Sequence, residues 1–339
     1  MNVRDNVRLN RTKMLDEAAI NHRPTHFIHS LLVFFIVYTV ATIASTLLSS
    51  VSMAVYLLND DSFWALMDGV MNETLTDEQT TLLLEQIVAD APWWVTLSSL
   101  IATGAAFVGA SMIYCKYIEK RNLSTLGLRK TNYAAEYGIG ALIGAGMYSL
   151  TFLVAFASGA VSFEGAPSFS FAIILFLIAF VIQGAGEELL VRGYLMTTVA
   201  RDYKIGLALA FSSAVFALLH GSNAGVNTVA LINIFLFGVF EGIYILKRGD
   251  IIGACAIHTM WNFTQGCIFG SNVSGISGMP AIFHTVSNPD MTSANGGVFG
   301  LEGSFAATIV LLLAIGLILL LTPKRSELPE YELARMDAE

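Results

Sequence analysis

The chain has 339 residues, of which 55% are hydrophobic and 13% charged, and its formal net charge is -8. A soluble domain typically carries about 25% charged residues, so so much apolar surface excludes a soluble globular enzyme and points to a membrane. Lys and Arg total 18 against 26 Asp and Glu, too few for a dense basic face, which excludes nucleic-acid binding.

Residues 1–26 form a charged lead with Arg4, Arg8, Arg11, Lys13 and Arg23. The first apolar run starts only at Phe27 and is far longer than a signal core, so no cleavable signal peptide is expected. A spanning helix needs roughly 20 mostly apolar residues. Eight runs qualify: Phe27–Leu58, Trp93–Cys115, Gly138–Val161, Phe169–Ala200, Ile205–Ser222, Val226–Leu246, Ile251–Gly270 and Ser304–Thr322. The expected fold is therefore an all-α polytopic membrane protein, an eight-helix domain over 27–322 with an acidic tail, 323–339.

Cations collect in the cytoplasmic loops of membrane proteins. Here they fall in the lead, after span two (Lys116, Lys120, Arg121, Arg129, Lys130), after span four (Arg201, Lys204), after span six (Lys247, Arg248) and after span eight (Lys324, Arg325, Arg335). The loops 59–92, 162–168, 223–225 and 271–303 contain none. This alternation predicts cytoplasmic N- and C-termini, and Arg192 is the single cation inside a span. In the acidic loop 59–92, Thr76 and Gln79 form a capping box that predicts one short amphipathic helix. The Gly-, Ser- and Asn-rich stretch 271–303 reads as an irregular loop, and the tail 326–339 as disordered. Cys115, Cys255 and Cys267 are odd in number and match no disulfide framework or metal knuckle.

Ionisable side chains within spans are costly and mark function. Run four carries Glu187, Glu188 and Arg192; Glu188 and Arg192 are i and i+4, positioned to form an ion pair, while Glu187 points about 100° away. Run five ends in Phe216 and His220, and run seven holds His258 and Asn262, both pairs again at i, i+4. A carboxylate, two imidazoles and a carboxamide are the parts for activating water and stabilising an oxyanion. Measured from the cytoplasmic ends at 1.5 Å per residue, Glu187 and His220 lie roughly 20 Å deep and His258 roughly 10 Å, so a meeting requires a tilted or broken helix. Phe216 reads as a residue that shapes the pocket. Glu241 reads as a structural pairing or snorkelling group, and Gly238 with Gly242 as a close-packing step.

These motifs, Glu187-Glu188-x-x-x-Arg192, Phe216-x-x-x-His220 and His258-x-x-x-Asn262, resemble those of the CPBP intramembrane proteases, also called the CAAX protease and bacteriocin-processing, or Abi, family. The resemblance covers about 180–265. It implies an eight-helix fold with a conical intramembrane cavity and a glutamate-dependent endopeptidase acting on a membrane-associated protein or peptide. Carried over, it makes Glu187 and His220 the holders of the attacking water, His258 and Asn262 the oxyanion donors, and Glu188 and Arg192 supporting residues. The continuation Arg192-Gly193-Tyr194-Leu195 resembles bacterial members and so suggests a bacterial cell membrane, and Asn262, which fits an oxyanion donor better than a group orienting a metal ligand, favours no cofactor. Glu187, His220 and His258 would also make a zinc triad, so a metal-dependent variant stays open. The non-protease alternatives are a proton-coupled transporter and a non-catalytic immunity or scaffold protein. Gly275-Ile276-Ser277-Gly278 spells the string of a serine protease but lies in an outside loop.

Overall fold

The computed structural model describes residues 12–19, 27–129 and 132–321. Helices dominate, and the one sheet among the described residues is a two-stranded antiparallel ribbon, Val161–Phe163 against Thr285–Ser287. Each of the eight apolar runs contains a helix. Five are long and apolar enough to cross a membrane: Phe27–Leu58, Trp93–Ile118, Tyr133–Ala157, Ala172–Asp202 and Thr228–Arg248. The other three are shorter, namely Ile205–Leu219, Phe305–Leu320, and Ile252–Phe263 with its π-helical extension to Ile268. At 1.5 Å per residue, the 15 residues of Ile205–Leu219 reach only about 23 Å, short of a hydrocarbon core of about 30 Å. The chain is thus an all-α, multi-pass membrane protein. Its outer surface is apolar, with Leu32, Ile36, Val40, Leu47 and Val51 of the first helix all exposed.

The outer loops are more ordered than their composition suggests. The capping box forms at Thr76 and Gln79 and starts the helix Asp77–Ala89. A second helix, Asp61–Met71, precedes it, capped by the Asp60 side chain accepting from the Phe63 amide. Within 271–303 lie the second ribbon strand, several 3-10 turns and the short helix Thr292–Asn295, a correction to the irregular reading. Polar side chains of the membrane helices hold it: Asn233 donates to the Glu302 and Ser304 carbonyls at 2.8 Å each. The disorder predicted for 326–339 lies outside the described residues. All three cysteines are buried and free.

Small residues set the helix spacing around the centre. An added Cβ at Gly104 of the second long helix would lie 2.5 Å from the Gln183 amide nitrogen, and one at Gly186 would lie 2.6 Å from the Gly104 carbonyl. The second and fourth long helices therefore touch backbone to backbone at the turn that carries Gln183 and Glu187. Ala is normally favoured over Gly in a helix by about 1 kcal/mol. Gly109→Ala, in open space on the same helix, should raise the denaturation midpoint in micelles, whereas Gly104→Ala should lower it by forcing the two backbones apart. Equal midpoints for the two variants would disprove that contact.

Candidate active site

The fourth long helix, Ala172–Asp202, changes character at its centre. It is α-helical to Glu188, π-helical over Leu189–Met196, and α-helical again to Asp202. π turns are uncommon and cluster at functional sites. The Glu188–Arg192 pair straddles this junction. Arg192 Nη1 donates to Glu188 Oε1 at 2.8 Å, and both side chains are 0% exposed. The guanidinium lies 4.1 Å over the Phe216 ring, a cation–π contact, so Phe216 packs against the cation as well as against His220. Gly238 makes room for it, since a Cβ there would sit 2.9 Å from Arg192 Nη2. Gly242, one turn on, packs against Leu209 in the same way.

The two histidines converge on Glu187 from separate helices. Their Nε2 atoms lie 4.0 Å (His220) and 3.6 Å (His258) from Glu187 Oε2. Each ring is oriented through Nδ1: His220 donates to the Phe216 carbonyl at 2.8 Å, and His258 to Glu188 Oε1 at 2.9 Å. With Nδ1–H committed in both rings, Nε2 of each is aimed at the shared point, an acceptor in a neutral ring and a donor in a protonated one. Phe237 stacks edge-on to His258 with ring centroids 5.4 Å apart and walls its far side. The structure brings His258 to Glu187 despite the mismatch in depth read from the sequence, and the fourth helix is broken by its π segment, Leu189–Met196, just after Glu187 and Glu188.

Asn262 meets the group indirectly. Its Nδ2 donates to Gln183 Oε1 at 3.2 Å, and Gln183 Nε2 donates to Glu187 Oε1 at 2.5 Å. Gln183 therefore fixes one oxygen of Glu187 and leaves the other, Oε2, facing the histidines without a direct hydrogen bond. A separation of 3.6–4.0 Å is one that a water bridges. Gln183 was absent from the sequence-based site, although its place four residues before Glu187 puts it on the same face. Glu302 was also missed. It comes from the 271–303 loop, lines a small cavity with Phe216, His220, His258 and Asn262, and accepts from the Ser274 hydroxyl at 2.7 Å and from the Ser274 amide. Burial pushes the Glu302 carboxyl up from the usual range, while the Ser274 bonds and His220 pull it back. Nothing in the local sequence around Glu302 announces that position. Ser277, in the serine-protease string, takes no part in this cluster.

The cavity measures 30 Å³, room for about one water. Glu241 is 0% exposed, so it does not snorkel; it lies on the Gly238 face of its helix, turned toward the Glu188–Arg192 pair. A metal would have to use Glu187 Oε2 and the two Nε2 atoms. Donors on a tetrahedral zinc stand about 3.3 Å apart at bond lengths near 2.0–2.1 Å, closer than the separations here, and among the described residues no group of three His, Cys, Asp or Glu side chains has metal-holding geometry.

Compared with known proteins, residues 169–264 match the family model described as type II CAAX prenyl endopeptidase Rce1-like. No curated protein and no solved structure matches the chain. The matched segment runs from the fourth long helix through His258 and Asn262 and holds all three sequence motifs. The match over residues 169–264 supports placing the chain with the CPBP/CAAX family of intramembrane proteases.

Proposed function

We propose that the protein is a glutamate-type intramembrane endopeptidase that hydrolyses a peptide bond of a membrane-associated protein or peptide, with Glu187 as general base. The observation that carries this reading is the convergence of two oriented Nε2 atoms on Glu187 Oε2 at 3.6 and 4.0 Å. A water held there gives a proton to Glu187, and its oxygen attacks the substrate carbonyl carbon. The carbonyl oxygen takes the negative charge and receives hydrogen bonds from His258 and Asn262. Donation from both nitrogens of His258 requires its imidazolium form, for which Glu188 is the counter-ion. The C–N bond then breaks as the proton on Glu187 passes to the leaving nitrogen. Asn262 has a second N–H beyond the one that meets Gln183.

The cation distribution supports eight crossings with both termini cytoplasmic, the three shorter helices crossing a bilayer that the protein thins locally. The reading is metal-free. EDTA should leave activity intact; loss on chelation with recovery on added zinc would replace it by a mechanism on Glu187, His220 and His258. The family match favours a protease over a transporter or an idle scaffold. Its members' name points to prenylated CAAX peptides; a host membrane of the bacterial type, without that modification, makes peptide precursors or other membrane proteins the substrates. The test compares membrane and released peptides from cells that express the native protein, Glu187→Gln, His220→Ala or His258→Ala. Peptides cut only by the native protein are expected, and full biological activity in all three variants would refute the reading.

A further inference from the structure

A second cavity lies away from the glutamate and histidine cluster. It measures 760 Å³ and opens where the helix Lys13–Ala19, the start of Phe27–Leu58 and the ends of Trp93–Ile118 and Ala172–Asp202 come together. Its polar wall is built around Arg121 and Arg201, whose side chains are 9% and 5% exposed. Glu119 sits between them, 2.8 Å from Arg121 Nη1 and 3.4 Å from Arg201 Nη1. Arg121 is further fixed by Thr125, which accepts from Nε at 3.1 Å. Its Nη2 is buried and has no hydrogen-bond partner. Lys120 lines the same cavity and is held with φ +54, a left-handed backbone that non-glycine residues rarely adopt. The remaining acid of the wall, Glu17, is met by Arg129 at 3.5 Å. Among the lining residues, Lys120, Arg121 and Arg201 thus share the single carboxylate of Glu119, with Asp202 acting on Arg201 from outside the lining, and the wall carries an excess of positive charge.

We propose that this cavity binds the phosphate of an anionic membrane lipid. A guanidinium held in place with a free buried N–H is a preorganised donor for a phosphate oxygen, and a second guanidinium and an ammonium lie beside it. The rim selects the source of the phosphate. Val33 and Ile118 line the cavity, and Ile118 is 64% exposed on the apolar surface of the bundle, where an acyl chain would run. Basic pockets between the ends of membrane helices are suited to anionic headgroups. The site is independent of the peptidase reading, since it shares no residue with the Glu187 cluster.

Native mass spectrometry of the purified full-length protein, titrated with phosphatidylglycerol, phosphatidylcholine, inorganic phosphate or glycerol 3-phosphate, tests it. Phosphatidylglycerol should be retained over phosphatidylcholine, and Arg121→Gln and Lys120→Gln should each weaken retention about fivefold. Lys120 is exposed, so that variant folds whether or not the buried Arg121 tolerates replacement. Displacement of the lipid by inorganic phosphate at equal concentration would keep the phosphate site and make its source soluble. Equal retention of phosphatidylglycerol by the native protein and Lys120→Gln, or equal retention of the two lipids, would overturn the proposal.

Discussion

Glu187→Gln should lower kcat for peptide hydrolysis by at least about 10²–10⁴-fold, the usual contribution of a general base, with KM nearly unchanged. Glutamine keeps the shape of the side chain, and its carbonyl still accepts from Gln183 Nε2. What it loses is the negative charge at the atom framed by the two Nε2 nitrogens. The denaturation midpoint should therefore stay close to that of the native protein, which separates lost chemistry from lost fold. His220→Ala should fall in the same direction. The double variant should be little worse than either single one, because both groups act on the same water and such effects are not additive. Wild-type kcat in purified Glu187→Gln would remove Glu187 from the mechanism.

The parts of this site that could be read from the chain are those that depend on spacing within one helix. Glu188 with Arg192, Phe216 with His220, and His258 with Asn262 are i, i+4 pairs, and the helical repeat alone brings each pair to one face. Apolar runs and cation-free loops likewise report on segments one at a time, which is why the helices were found where they lie. Contacts between helices leave no such trace. Gln183 shares a face with Glu187 at i, i+4, but its link to Asn262 is a contact between two helices that spacing does not show. Glu302 stands 82 positions beyond His220 in the chain and reaches the cavity through the fold of a loop held by Asn233. Length was misjudged for a related reason: an apolar run of 18 residues, 205–222, yields a helix ending at Leu219, because His220 turns its ring back onto the Phe216 carbonyl and the chain leaves the helix there.

Arg192→Met should destabilise the fold by about 3–5 kcal/mol, the cost of leaving one member of a buried ion pair without its partner. The volume and the packing against Phe216 are roughly kept by methionine; the charge is not. Glu188 would then keep only His258 as a partner, and Glu241, whose oxygens make no hydrogen bond among the described residues, would share the core with it uncompensated. The consequence travels to the site. Glu188 Oε1 accepts from both Arg192 Nη1 and His258 Nδ1, so losing the cation frees the carboxylate that sets the His258 ring. The variant should thus lose stability in denaturant titrations in micelles and lose kcat in the fraction that still folds. Combining it with Glu188→Gln removes one of the stranded charges and should recover part of the stability, a positive coupling in a double-mutant cycle. Additive losses in that cycle would mean that Glu188 and Arg192 do not act as a pair, and that His258 is held by something other than the carboxylate they share.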